Sequence, residues 1–232
     1  MADLQKNYDA VYLGIGVGLA RQLEIPGEDL QGVEDAIKFI YDLRNQAYHK
    51  IAVGDKVAVI GMGMTAIDAA TQAKRLGAKE VTMVYRRTEE EKPCTDVELD
   101  IAKLDGCKVI WLAAPKEITG KDGKVTQLIC SVMKLGDQDA SGRRSPVDTG
   151  ETFALDVDMV IKAAGQMPFE SLVKTTGIEN KAGKLSIMAD NQTSIKGVFA
   201  GGDCVNGGRE VVDAVQAGKD GAKGIMKYLN IS

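Results

Sequence analysis

The sequence predicts an α/β protein built on a parallel sheet, with an antiparallel β-meander inserted into it. Three observations predict this. Val57–Ile60, Thr65–Leu76 and Val81–Tyr85 read as strand, helix and strand, with Gly61, Gly63 and Ala66 at G-x-G-x-x-A spacing in the first turn. Val198–Ala200, then Gly201-Gly202-Asp203, then a helical pattern from about Arg209 to Leu229, make a second glycine-rich strand-to-helix junction. Between the two, Lys116–Thr119, Val125–Lys134 and Glu151–Leu155 alternate with the period of strands, and Asp122-Gly123 joins the first pair.

The first junction carries specific chemistry. Gly61 makes the tight turn, Gly63 lets backbone approach a pyrophosphate, and the small Ala66 lets the helix close on the strand. Thr65 opens the helix, whose N-terminal N–H groups and partial positive charge suit phosphates. The end of the second strand chooses the nucleotide. An NAD site wants a carboxylate there for the ribose hydroxyls, and this chain has Arg86 and Arg87. Guanidinium forks suit a 2′-phosphate, so the reading is NADP(H). The plain alternative is a buried βα unit with two solvated arginines. Fingerprint, context and arginines together weigh against it.

The totals exclude several classes. The 232 residues suffice for one large domain or two small ones. A net charge of −4 with interspersed signs gives no support for nucleic-acid or membrane-surface binding. No apolar run is long enough to span a bilayer, and the polar first residues show no secretory signal. Cys94, Cys107, Cys130 and Cys204 form no C-x-x-C pair, which argues against a disulfide scaffold, a cysteine-ligated cluster or a redox dithiol. With His49 the single histidine, a zinc site or a histidine triad is not expected, and a reducing cytoplasm is the default compartment.

In chain order, residues 1–6 read as a polar lead-in and Tyr8–Leu13 as a strand. Gly14-Ile15-Gly16-Val17-Gly18 mimics a fingerprint, but Pro26-Gly27 arrives too soon for a helix. It reads as a strand end where backbone passes something flat or bulky, or as an ordinary tight turn. Glu34–Tyr48 has apolar residues at helical spacing, and residues 49–56 form a polar linker. After Arg87 comes an acidic triplet, in which Glu89 and Glu90 read as a solvated face. Thr95–Leu104 reads as a helix and Cys107–Leu112 as a strand; residues 137–149 are expected to be a mobile tip of the meander. Asp158–Ala163 is a strand ending in Ala164-Gly165-Gln166, on the side of the sheet where a nicotinamide would lie. Residues 169–196 are less regular, with strands expected near Leu185–Ile187. The final helix shows an apolar face with Val211, Val212, Val215 and Ala222. Asp203 could accept hydrogen bonds from a cofactor's hydroxyls, or serve as an N-cap or turn residue.

YDAVYLGIGVG, IPGEDLQGV, VAVIGMGMTAIDAA, VTMVYRR, AAGQMPF and GVFAGGDCVNGGREVVDAVQAGKDGA occur in that order. Together they resemble the glutamate synthase small-subunit family of FAD- and NADPH-dependent oxidoreductases, whose module the pyrimidine-reducing dehydrogenases share. The resemblance implies a Rossmann-like NADP-binding domain, residues 35–168, nested in an incomplete FAD-binding domain of the pyridine nucleotide-disulfide oxidoreductase type, residues 1–34 and 169–232. It implies that Gly61, Gly63, Met64, Thr65, Ala66, Arg86 and Arg87 hold NADPH, with Gly165 and Gln166 near the nicotinamide. Gly16, Gly202 and Asp203 would then line FAD, with Glu210, Val211 and Val212 facing the flavin. The family usually has Asn where Met64 stands. It also begins with an iron–sulfur segment and a first FAD-binding βαβ unit, so this chain is expected to be a fragment in which FAD is weak or absent. The implied reaction is hydride transfer from NADPH to FAD and onward to a catalytic partner subunit. It needs no side-chain acid, base or nucleophile and no protein-bound metal. The rival expectation is a non-catalytic NADPH-binding or assembly module.

Overall fold

The computed structural model describes residues 1–18, 20–138 and 142–231. Helix α1 (Ala2–Asn7) and strand β1 (Val11–Leu13) come first. β2 (Val33–Asp35), α2 (Ala36–Asn45), β3 (Lys56–Ile60), α3 (Met64–Arg75), β4 (Glu80–Tyr85), α4 (Asp96–Leu104) and β5 (Lys108–Trp111) follow. Then come β6 (Ala113–Lys121), β7 (Lys124–Gln138), β8 (Arg144–Asp156) and β9 (Met159–Lys162). The chain closes with α5 (Glu170–Thr176), β10 (Asn180–Lys181), β11 (Lys184–Leu185), β12 (Val198–Ala200), α6 (Asp203–Asn206) and α7 (Val211–Leu229). Contacts divide these elements into two compact units, Leu19–Gly165 and Met1–Gly18 with Gln166–Ser232.

In the inner unit β2, β9, β3, β4 and β5 form a parallel sheet in that order. Strand alternation sends Val57 and Val59 into one buried layer with Phe39, Leu43, Ala66, Ala70 and Leu99 of the helices. Ala58 and Ile60 point the other way, into a layer with Ile118, Leu128 and Cys130 of the meander. The sheet is thus covered by α2, α3 and α4 on one face and by β6–β7–β8 on the other. Each fully buried Val, Ile or Leu side chain in these layers contributes about 1.5–3 kcal/mol. Ala66, Ala69, Ala70 and Ala73 are fully buried, and this small stripe lets α3 lie close on the sheet.

The sequence differs from the structure at several boundaries. The helix expected over Glu34–Tyr48 is α2 alone, because Val33–Asp35 pairs with β9 and the Asp35 carboxylate caps the helix by accepting Ile37 N and Lys38 N at 2.8 and 3.1 Å. Contacts group residues 20–34 with the inner unit. The meander is longer than its alternation suggests. Residues 144–149 of the expected mobile tip are strand, with Pro146, Val147 and Asp148 registered on Leu135, Lys134 and Met133; residues 139–141 of it lie outside the described residues. Glu91, the third of the acidic triplet, closes a capping box with Thr88.

The outer unit holds the parallel pair β1–β12 and the small hairpin β10–β11. Its core joins Val198, Ala200, Cys204, Val173, Ile178 and Leu185. The polar lead-in is helix α1, whose Asp3 and Lys6 suit the dipole at its two ends. Helix α5 was not legible in the irregular 169–196 stretch. Along α7 the buried residues are Gly221 and Gly224. A Cβ on Gly221 would lie 2.1 Å from the Tyr12 ring, and one on Gly224 2.0 Å from the Asp190 carbonyl oxygen, so glycine sets this packing distance. Val211 and Val212 are instead 79% and 69% exposed.

Candidate functional site

The inner unit gathers the first set of predicted residues at the carboxyl ends of its strands. β3 sits between β9 and β4, and the chain runs outward from it through β4 to β5 while β9 and β2 lie on the other side. Such a switch point opens a crevice above the strand ends. Gly61 leaves β3 with φ +132°, and a Cβ there would lie 2.4 Å from the Ala163 carbonyl oxygen at the end of β9. Gly63 is the N-cap of α3 and carries no side-chain cap hydrogen bond. A Cβ on Gly63 would meet only Pro93 Cγ, at 4.0 Å. The entrance to α3 is therefore open, with helix N–H groups that no capping side chain satisfies. This fits a pyrophosphate. Met64 is exposed, Thr65 half-buried and Ala66 fully buried at the start of the same helix.

The two arginines at the end of β4 differ. Arg86 is exposed, whereas Arg87 is 6% exposed and donates from Nε to the Arg144 carbonyl oxygen at 2.8 Å. The Arg87 carbonyl in turn accepts Leu112 N at 3.1 Å. Beyond them, Thr88 donates its hydroxyl to the Glu91 carboxylate, and its N–H does so at 3.2 Å. That hydroxyl above all, then the Thr88 N–H and after it the Arg144 guanidinium, outweigh burial and hold the Glu91 carboxyl below the usual carboxylate range. Sequence reasoning missed Arg144; its signal was a pair of arginines in the otherwise polar stretch between Gly136 and Gly150.

Gly165 and Gln166 fall on either side of the division between units. In the inner unit the Gly165 carbonyl accepts Arg21 N at 2.7 Å. In the outer unit Gln166 donates from Nε2 to the Gly18 carbonyl at 2.9 Å. There Gly16 lies in the irregular segment after β1, and Gly202 is the N-cap of the short α6. Asp203 begins α6 and accepts Arg209 N through Oδ1 at 3.1 Å, the turn role that its sequence context allowed. Glu210 caps α7 in a capping box with Asp213, just before the exposed Val211 and Val212. A carboxylate at a strand end, with exposed apolar side chains at the start of the helix that follows, fits a flavin with its hydroxylated chain.

A model of the pyridine nucleotide-disulphide oxidoreductase family matches residues 3–218. The chain belongs to that family. Its members are NAD(P)H-dependent flavoprotein oxidoreductases. Over 99% of its length the chain is 37% identical to the beta subunit of the NADP(+)-dependent formate dehydrogenase of Moorella thermoacetica, of which it covers 33%. Over 98% it is 34% identical to the small chain of glutamate synthase [NADPH] of Azospirillum brasilense, covering 50% of that protein. It therefore spans about a third to a half of these relatives. In fold it is similar to FprA of Mycobacterium tuberculosis in complex with NADPH, with a TM-score of 0.77 at 22% identity, covering 99% of this chain and 65% of that one. Among the described residues no helix is long and apolar enough to cross a membrane.

Proposed function

We propose that this chain is the NADPH-binding and part of the FAD-binding region of an oxidoreductase of the glutamate synthase small-chain type, which takes hydride from NADPH and passes electrons to a partner subunit. The observation that carries the reading is the open, glycine-lined entrance to α3 with an exposed arginine at the end of the next strand. On this reading residues 35–168 are the NADP domain, and 1–34 with 169–232 belong to the FAD domain.

When bound, the flavin would supply the acceptor for a hydride, chemistry that no protein side chain offers. The chain's residues bind and orient. Gly61 and Gly63 let the pyrophosphate reach the N–H groups of α3, and Arg86 answers the 2′-phosphate. Asp203 would accept hydrogen bonds from the flavin's hydroxylated chain, and Glu210, Val211 and Val212 would face the ring. The name of the Azospirillum relative supports a partner subunit. A formate dehydrogenase beta-type role is the second reading, favoured by 37% identity over 99% of the chain.

The test is a visible absorbance spectrum of the purified chain, before and after FAD and then NADPH. Flavin bands that appear once FAD is added, and that NADPH then bleaches, are the expected result. A spectrum that FAD cannot change, with NADPH still bound, would leave a nucleotide-binding module without reductase activity. For the nucleotide itself, Arg86→Ala should weaken NADPH by about 1–3 kcal/mol and leave NADH nearly unchanged. Equal losses for both would sink the 2′-phosphate role of Arg86.

A further inference from the structure

We infer that Arg144, the first residue of β8, is a second guanidinium of the 2′-phosphate site, and that Arg87 is the positioning residue that brings it there. The inference rests on the NADP(H) reading and adds a residue from the meander to it. Three observations carry it.

First, the buried and the exposed arginines divide the work. Arg87 is 6% exposed and spends its Nε on the Arg144 carbonyl, 57 positions further along the chain, at 2.8 Å. A guanidinium so held is a poor partner for a mobile phosphate and a good tie between strand ends. Arg86 and Arg144 are both exposed. Second, the tie binds the Arg144 backbone, so its side chain is left to reach outward. The carbonyl that Arg87 uses is present whatever side chain stands at residue 144. Third, the Arg144 carbonyl lies 2.8 Å from Arg87 Nε, so residue 144 stands close to the end of β4. Its charge acts on the Glu91 carboxylate, in the 3-10 turn Glu89–Glu91 that follows Arg86 and Arg87 directly. Glu91 is already held by Thr88, and Glu89 by Lys103 at 3.0 Å. A phosphate dianion is a stronger partner for two exposed guanidiniums than a carboxylate that other groups already satisfy.

The test titrates NADP+ and NAD+ into the full chain by calorimetry. Arg144→Gln keeps the carbonyl that Arg87 needs, so the tie survives. NADP+ should bind about tenfold more weakly and NAD+ as before, while Arg144→Lys regains part of the loss. Added salt should shrink the difference between wild type and Arg144→Gln. Arg87→Gln should weaken NADP+ as well, and adding Arg144→Gln to it should cost less than in the wild type, because the two act through one contact. Unchanged NADP+ affinity in Arg144→Gln overturns the inference, as does an equal loss for both nucleotides. The Arg144 arm holds even if Arg87→Gln fails to fold. Arg86→Gln separates the two levels. If it abolishes the NADP+ preference while Arg144→Gln does not, only this inference falls. If the wild type shows no preference for NADP+, the underlying reading falls with it.

Discussion

Gly61 and Gly63 stand two residues apart and answer to different masters. At Gly61 the backbone has φ +132°, and a Cβ would lie 2.4 Å from a main-chain oxygen that cannot yield. Gly61→Ala should therefore destabilise the inner unit by about 3 kcal/mol, read as a lower midpoint in denaturant with the slope unchanged. At Gly63 φ is −81° and the space is open. Gly63→Val should cost about 1 kcal/mol as a poorer N-cap and abolish binding of either nucleotide, measured by calorimetry. Intact NADPH affinity in that variant would remove the fingerprint from the site. Both glycines were legible from their spacing together with the strand–helix–strand context around them. The unequal fates of Arg86 and Arg87 were not, because the buried Arg87 donates to a carbonyl of a strand distant in sequence.

Among the elements, β9 carries a feature that no motif announces. Lys162 and Glu28 form an ion pair at 3.0 Å with side chains 8% and 14% exposed, and Gln22 accepts from the same ammonium. Burial alone would raise the Glu28 carboxyl; the N–H groups of Ile25 and Leu23 and the Lys162 ammonium outweigh it and hold it below its ordinary range. A lowered carboxyl stabilises the fold at neutral pH and loses that contribution as pH falls below about 4.5 through its native value. Glu28→Gln should destabilise by about 3 kcal/mol at pH 7, and the gap to wild type should narrow in acid unfolding curves. A gap that stays constant down to pH 3 would show that the pair contributes nothing. Helices and strands with a clear period were legible in the sequence: α3, α4, β3, β4 and the meander. α5, α1 and β2 were not. Their formation depends on partners elsewhere in the chain, as when Val33–Asp35 becomes strand only by lying on β9.

For the whole molecule, four thiols serve as internal reporters. Cys94, Cys107, Cys130 and Cys204 are all buried and unbonded. Burial pushes Cys130 up to about 12, and burial with the neighbouring Asp105 pushes Cys107 up to about 11. The native chain should resist a thiol-specific disulfide reagent at pH 8, and all four should react on unfolding in denaturant. A thiol that reacts at once in the native chain would contradict the burial. The two units also share a less obvious property. In the inner unit Arg21 N donates to the Gly165 carbonyl, and in the outer unit Gly18 N donates to the Met167 carbonyl, each at 2.7 Å. Each unit thus has its two cut ends one hydrogen bond apart, so severing the crossings would add almost no loop-closure entropy to either. The inner unit is in effect a cassette. On the NADP(H) reading proposed above, it could be lifted out, or exchanged for one with another nucleotide preference, with a scar the length of a tight turn.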